Sequence, residues 1–473
     1  MINFLSDIWV NGNPIPDYYD YGSGKYADPL SFLYSIFVLI GVFSVIITSA
    51  IRLHMRGIPL KEFLNGIYIA LPLGVIGASI FGKLGSSGED WKIYRLIFFW
   101  EPGMSFFGSM LVGGSAAFLW FWYKKRITRI SIYTYSDCIV PNILLGQSIG
   151  RWGNLFNHEI MGRAIEDSKM SSITWLPDWI WHRLFYFYNP SNGQEPLKVL
   201  QFHEPLFLYE SLLTLFLWFL LIFVFSNLDK WFSKKPWKID PYAFPCKQNK
   251  ICKFLDESKI INYQTQIPIK YNKNSLEQLS LSKKWVWRKA YLLYEPNIID
   301  VENQQNYIYD QKIKRVKANE KFNQIKLKKH QEFEKIKLKF KKNKIGKEKY
   351  KEDIKILNDK YKNDLSKFRK NKSILISFLK RDSKKLYNLN NPNNYFVIHC
   401  GFLTGIYICA YTIIRFILDK FRNPYEISVK MNPLLNYLSL TGILIIGIII
   451  MVCAQFIAPK KWREVGWLYE KSY

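Results

Sequence analysis

Apolar positions along this chain gather into seven long runs, at about 29–51, 64–83, 104–123, 134–150, 205–226, 397–418 and 434–458. Each approaches the roughly 20 residues of helix needed to cross a bilayer core of about 30 Å. Helices rather than strands follow from run length, and from the need to satisfy every backbone polar group within the segment in lipid. The fourth run is the shortest and carries Asp137 and Pro141. The pattern predicts an all-α polytopic membrane protein with about seven transmembrane helices. Basic connections set its orientation: "RLHMRGIPLKE" after the first run, "KKRITR" after the third and "KKWRE" after the seventh fall on one side. The positive-inside rule then predicts an outer N-terminus and a cytoplasmic C-terminus. The stretch from about 164 to 203, rich in Trp and Tyr, falls on the outer side, as suits a segment resting in the interface.

Composition sharpens this division. The 473 residues are 49% hydrophobic and 17% aromatic, yet mean hydropathy is −0.07, because two unlike materials are averaged. Residues 231–390 hold 41 Lys and Arg against 17 Asp and Glu, so they supply +24 of the formal +28 charge. Three parts follow: 1–230 with helices one to five, a basic cytoplasmic insertion at 231–395, and 396–473 with helices six and seven. Within the insertion, about 311 to 372 reads as long charged helix. The block suits a solvated, partly disordered arm, or one drawn to anionic lipid of the inner leaflet. No nucleic-acid module is recognisable, so no nucleic-acid partner is expected. The six cysteines are scattered without zinc-ligand spacing, which predicts neither a metal site nor a disulfide framework. The N-terminus lacks the basic region and cleavage site of a secretory signal.

Charged groups at membrane depth cost about 2.5–3.5 kcal/mol each on insertion scales and mark functional candidates. Three stretches carry them. "GQSIGRWGNLFNHEIMGR", 146–163, holds Arg151, Asn154, Asn157, Glu159 and Arg163 between Gly146, Gly150, Gly153 and Gly162. Converging guanidinium and carboxamide groups suit an anionic, oxygen-rich ligand such as a phosphate; an Arg–Glu pair stapling two helices is the plainer alternative. "EPLFLYESLL", 204–213, sets Glu210 among apolar neighbours, where a carboxylate wants a cationic partner or a raised pKa, unless it lies at the interface. In the sixth run Tyr407, Tyr411, Arg415 and Asp419 recur every four residues and Arg422 returns to nearly the same angle, a polar stripe on an apolar helix. Several helices are therefore expected to contribute to one outward-facing cationic site.

The same residues carry a family resemblance. "DCIVPNILLGQSIGRWGNLFNHEIMGR" resembles the signature of bacterial prolipoprotein diacylglyceryl transferases, in which Asp and Pro precede a Gly-Arg-x-Gly-Asn-Phe-x-Asn-x-Glu block. "FLYES" is similar to that family's Tyr-Glu pair, and Tyr411, Arg415, Asp419 and Arg422 to its late Tyr, Arg, acidic, Arg helix. Tyr34 stands where the family has Arg-Trp-Tyr-Gly, although Phe32 and Ser35 replace the Arg and Gly. "GMSFFG" at 103–108 resembles a segment that normally reads Gly-Met-Ser-Phe-His-Gly, so Phe107 replaces a histidine proposed as important for activity. Glu204-Pro205 stands for a His-Pro, with His203 one place earlier. The insertion lies outside the resemblance.

The resemblance implies transfer of the diacylglyceryl group of phosphatidylglycerol to the lipobox cysteine of a prolipoprotein, with release of glycerol-1-phosphate and no metal or organic cofactor. It implies a multi-pass protein of the bacterial plasma membrane with its site towards the outer leaflet. In that reading Arg151 and Arg415 contact phosphate and Glu210 orients them or the glycerol. Asn154 and Glu159 hold the signature loop, and Tyr34 and Tyr411 donate to lipid oxygens. Asn157 and Arg422 complete the substrate-binding set, with Gly150, Gly153 and Gly162 as the signature-loop glycines. Glu210 and His203 are the candidates for a general base. The competing expectations are a non-catalytic membrane scaffold related to the family, which Phe107 favours, and an anionic-metabolite transporter. The second is disfavoured because the sequence has no inverted repeat.

Overall fold

A computed structural model describes residues 30–56, 58–83, 96, 106–188, 199–239, 286–287, 298–342, 346–372, 381–384, 387–388, 391, 393–422 and 432–464. It also describes four two-residue strands near the N-terminus: β1 Trp9–Val10, β2 Asn13–Pro14, β3 Tyr19–Asp20 and β4 Lys25–Tyr26, paired β1 with β2 and β3 with β4. The chain divides into two compact units, one of 1–288, 395–455 and 468–473, the other of 289–394 and 456–467.

The first unit is helical. α1 is Phe32–Met55, α2 Leu60–Lys83, α3 Phe106–Thr128, α4 Ile132–Ile139, α5 Ile143–Phe156 and α6 Leu206–Phe219. Four helices among the described residues are long and apolar enough to cross a membrane: Phe32–Met55, Leu60–Lys83, Leu206–Ile239 and Pro433–Lys461. Their outward faces carry large exposed apolar side chains such as Leu39, Ile47, Phe216 and Ile449, as lipid-facing surfaces do. This is a membrane protein. The run expected at 134–150 is instead two helices, α4 and α5, reaching from 132 to 156. They are joined by a tight 3₁₀ turn at Val140–Asn142, where Pro141 lacks the N–H that a continuous helix would need. Arg151 and Asn154 consequently stand on helix α5 and not in a loop beyond it.

Small residues bring the helix pairs together. The backbones of α1 and α5 cross at Gly41 and Gly146, where an added Cβ on Gly41 would lie 2.7 Å from the Gly146 carbonyl oxygen. α2 and α3 cross at Gly77 and Gly108, where a Cβ on Gly77 would lie 2.6 Å from the Gly108 oxygen. Lipid tails supply little hydrophobic drive between helices, so this close van der Waals approach is a main source of their association. Two buried clusters flank the crossings. Leu53, Phe63, Phe121, Ile130 and Tyr135 pack at one end, and Leu155, Phe156, Ile173, Leu176, Leu206 and Phe207 at the other. The second cluster includes the segment after α5, which closes against an antiparallel hairpin of β5 Phe185–Tyr188 and β6 Val199–Phe202.

The second unit contains a hairpin of two charged helices, α7 Ile298–Lys341 and α8 Lys347–Lys372. Lys360 Nζ donates to Glu332 Oε1 at 3.1 Å and Tyr361 to the same oxygen at 2.8 Å, while Phe340 stacks on Tyr350 with centroids 4.5 Å apart. These pairings run in opposite directions along the two helices, so the hairpin is antiparallel. The described part of the lysine-rich stretch thus includes two long helices, where the sequence predicts charged helix from about 311 to 372. Cys246 and Cys252 lie outside the described residues.

The first unit is completed by α9 Phe402–Leu418 and α10 Pro433–Val452, which approach through Gly405 against Met451 and Gly447 against Cys409. Asp137, unexposed, explains its own place in an apolar run. Its Oδ2 accepts from Gly401 N at 2.8 Å, and its Oδ1 from Thr404 N at 2.9 Å and Thr404 Oγ1 at 2.7 Å. It satisfies the free N–H groups that open α9, with Gly401 turning there at φ 95°.

Gly41→Ala is expected to lower the thermal unfolding midpoint of the purified protein in detergent, at a cost of about 1–3 kcal/mol for overpacking a backbone crossing. Gly442→Ala, where an added Cβ meets nothing within 4 Å, should leave the midpoint unchanged.

Candidate functional site

The site grows from one carboxylate. Glu210 lies on the first turns of α6 after "PLFLY", with no exposed surface. Arg151 Nη2, from α5, stands 2.9 Å from Glu210 Oε1, and Arg415 Nη1, from α9, stands 3.6 Å from the same oxygen. Arg422 Nη2 hydrogen-bonds Oε2. Three guanidiniums from two helices and the turn after α9 therefore share one carboxylate on a third helix. A second carboxylate, Asp419, lies 3.1 Å from Arg415 Nη2 and 3.4 Å from Arg422 Nε, and accepts from Asn436 Nδ2 of α10 at 3.0 Å.

Spacing explains the assembly. Arg415 and Asp419 are one helical turn apart, and Arg422 follows just beyond the end of α9, so all three point the same way. Tyr407 and Tyr411 continue that stripe, their rings stacked 6.0 Å apart at 3°, and Tyr411 reaches Arg151. Ser148, about one turn before Arg151, and Ser211, next to Glu210, are buried and 3.1 Å apart, and they hold α5 against α6. Glu210 faces three cations with help from one further carboxylate, so among the described residues the cluster carries three positive charges against two negative. Desolvated charge of this kind is tolerated when paired, and the excess favours an anion. Arg151 is the most open of the three, with 20% of its side chain exposed against 9% for Arg415 and 3% for Arg422.

The end of α5 and the following turn form a neighbouring group. Asn154 Nδ2 donates to Glu159 Oε2 at 3.1 Å, and Asn157 closes the helix as its C-cap. His158 and Ile160 take left-handed backbone, φ 49° and 57°, which a β-branched side chain such as isoleucine strongly disfavours. Such strain persists only where surrounding contacts over-determine it. Gly162 N donates to Glu204 O at 2.9 Å, and a Cβ at Gly162 would lie 2.9 Å from Glu204 Cβ. His203 Nδ1 lies 2.9 Å from Gly162 O, so this ring fastens the loop to the segment leading into α6. Tyr34 passes against the backbone of α5, where a Cβ on Gly153 would meet its Cα at 3.1 Å, and it lies close to both Arg151 and Glu159. An added Cβ on Gly150 would meet nothing within 4 Å, leaving open space beside Arg151. Arg163 stands over the Phe421 ring at 4.6 Å.

Of the residues singled out from sequence, Arg151, Glu210, Arg415, Arg422 and Tyr411 come together in one cluster. Tyr34, Asn154 and Glu159 adjoin it through α5. His158 packs on Phe185 with ring centroids 5.1 Å apart. The Phe107 backbone lies in α3, and its side chain is outside the described residues. Sequence reasoning missed Asn436, whose signal is a carboxamide inside the apolar run of "NPLLNYLSL". It also missed Arg183, unexposed, which donates from Nη1 to Trp179 O at 2.8 Å and lies over Phe156 at 5.5 Å.

The chain is similar to known proteins over the part that carries Arg151 and Glu210. Residues 31–239 match the family described as prolipoprotein diacylglyceryl transferase. The resemblance read from the motifs is borne out. Phosphatidylglycerol--prolipoprotein diacylglyceryl transferase of Paenarthrobacter aurescens (strain TC1) is 29% identical over 204 residues, covering 40% of this chain and 58% of that protein. The protein of the same name from Streptococcus equi subsp. equi is 28% identical, over 38% of this chain and 61% of its own length. That of Malacoplasma penetrans is 28% identical, over 42% and 58%. The chain thus spans less than two thirds of the length of these relatives. The family match contains Tyr34, Arg151, the signature glycines and Glu210, and ends before Arg415 and Arg422, which α9 carries back to them.

Glu210→Ala would remove the buried carboxylate that Arg151, Arg415 and Arg422 share. It should destabilise the protein by about 3–5 kcal/mol, the usual cost of stranding buried charge, read as a fall in unfolding midpoint in detergent. Glu166→Ala, which breaks the exposed Lys169–Glu166 pair at 3.0 Å, should cost under about 1 kcal/mol.

Proposed function

We propose that this chain transfers the diacylglyceryl group of phosphatidylglycerol to the cysteine thiol of a prolipoprotein lipobox, releasing glycerol-1-phosphate in the first step of lipoprotein maturation. The observation that carries the reading is the trio of guanidiniums around Glu210, with positive charge in excess and Arg151 at the open side. The bond from the lipid's glyceryl carbon to the phosphate oxygen breaks, and a thioether forms between that carbon and the cysteine sulfur. The departing phosphate gains negative charge as the bond opens, so cations fixed beforehand in a low-dielectric site stabilise the transition state more than the ground state. Arg151 and Arg415 bind the phosphate, and Glu210 keeps both heads aimed. Arg422, anchored to Glu210 and Asp419, supports them from behind. Tyr34 and Tyr411 donate to lipid oxygens, while Asn154, Asn157 and Glu159 shape the wall that Gly150, Gly153 and Gly162 allow to lie close.

The thiol proton must leave for sulfur to attack as thiolate. Glu210 is engaged by arginines on both oxygens, which argues against it as acceptor. His203 holds the Gly162 carbonyl through Nδ1 and would have to use Nε2. Seven crossings, with the N-terminus outside and the C-terminus in the cytoplasm, put this site towards the outer leaflet of a bacterial plasma membrane. Both substrates would meet there. The four apolar helices and the basic connections support that arrangement.

The test is transfer from labelled phosphatidylglycerol to a lipobox peptide by the purified protein. Wild type should be active, Arg151→Ala and Arg415→Ala should fall to background, and deletion of about 240–385 should leave detectable transfer. Normal activity in either arginine variant would remove the phosphate-site reading. Phe107→His, assayed beside them, should retain or raise activity; transfer by this variant with none by wild type would indicate a non-catalytic relative.

A further inference from the structure

The polar face around Glu210 continues one helical turn beyond its arginines. At about 100° per residue, Gln147, Gly150, Arg151 and Asn154 fall within one sector of α5 about 100° wide. The other sectors are taken: Gly146 and Gly153 meet α1, while Ser148 and Trp152 meet α6. In the remaining sector an added Cβ on Gly150 meets nothing within 4 Å, so there is room beside Gln147 and Arg151. Both carboxamide atoms of Gln147 are buried, and among the described residues neither has a partner at hydrogen-bond geometry. Tyr407, one turn before Tyr411 on α9, adjoins that carboxamide, and its hydroxyl is buried in the same condition. Arg151 Nε is a further such atom. Buried polar atoms in native proteins nearly always find partners, and leaving them without one is costly. Gln147 and Tyr407 are therefore donors waiting for an acceptor that the protein does not supply.

Their level along the helices identifies the acceptor. α5 and α9 run side by side in the same direction. Arg151 and Arg415 share Glu210 at one level, Gln147 meets Tyr407 a turn lower, and Leu144, Leu217, Leu221 and Leu403 pack against Tyr407 below that. One turn is about 5.4 Å. The order is therefore cation, then carboxamide and phenol, then hydrocarbon. A diacyl phosphoglyceride read from its phosphate towards its chains has the same order, with two ester carbonyls between the charge and the tails. Carbonyl oxygens accept hydrogen bonds, and the amide N–H and phenol O–H donate them.

We propose that Gln147 and Tyr407 recognise an ester carbonyl of the diacylglyceryl group, so that the site selects ester-linked over ether-linked lipid. The identity of the lipid rests on the transferase reading; its selection rests on these two side chains. The purified full-length protein in detergent is titrated with phosphatidylglycerol and with its dialkyl ether analogue, which keeps the phosphate and both chains but lacks the carbonyls. Bound lipid is counted by native mass spectrometry, and transfer to a lipobox peptide is measured in parallel. Wild type should bind the diester about tenfold more tightly, the worth of one or two neutral hydrogen bonds. Gln147→Met, similar in length and without a donor, should lose that preference while binding the ether lipid as wild type does. Tyr407→Phe should reduce it. Because the carboxamide has no partner in the protein, Gln147→Met should keep or raise the unfolding midpoint measured without lipid. Equal binding of the two lipids by wild type, or an unchanged preference in Gln147→Met, would overturn the proposal. So would a fall in that midpoint, which marks a role in helix packing. A wild type that keeps the preference yet transfers nothing would overturn the transferase reading alone.

Discussion

A carboxylate with no exposed surface is the constraint around which this membrane protein is organised. Glu210 cannot be desolvated alone, since burial of an isolated charge costs many kcal/mol. It is matched by arginines that arrive from separate parts of the chain: Arg151 from α5, and Arg415 and Arg422 from the far side of a long insertion. The chain must therefore return to its first six helices after residue 395, however much sequence intervenes. Asp419 and Asn436 extend the same requirement to α10, so that five charged groups and a carboxamide fix the ends of four helices in one place.

α9 is pinned at both ends by carboxylates. Asp137 caps its N-terminus through Gly401 and Thr404, and Glu210 holds its C-terminal arginines. The helix dipole favours both choices: an anion at the start and cations at the finish. Between the pins, Leu403 and Tyr407 pack with Leu144, Leu217 and Leu221 of the preceding helices. A helix of 17 residues with this anchoring has little freedom to slide, which keeps Arg415 on the same Glu210 oxygen that Arg151 reaches.

Much of this was legible in the sequence, for physical reasons that differ residue by residue. Arg151, Glu210 and Arg415 stood out because charge amid apolar residues is expensive, and the four-residue spacing of Tyr407, Tyr411, Arg415 and Asp419 placed them on one face. The choice of partner was not legible. Whether Glu210 would pair with Arg151, with Arg415 or with both depends on where α9 lands, which is a tertiary fact. Pro141 signalled a weak helix, but not that the chain would restart at Ile143 and carry Arg151 on a helical turn. Asp137 looked like a liability in an apolar run because its partners, the free N–H groups of α9, carry no side-chain signature. The same is true of the strained backbone at His158 and Ile160, since nothing in their side chains asks for a left-handed conformation.

The way the family match stops at residue 239 has a structural consequence. The matched part holds Glu210 and only one of its three arginines, so by itself it would place a buried carboxylate beside a single partly exposed cation. The cationic excess that suits a phosphate exists only once α9 is added. Two carboxylates that hold α9, Asp137 and Glu210, both precede the insertion in the chain. The placement of the site's last two arginines is thus set by carboxylates that the chain supplies before the lysine-rich block begins.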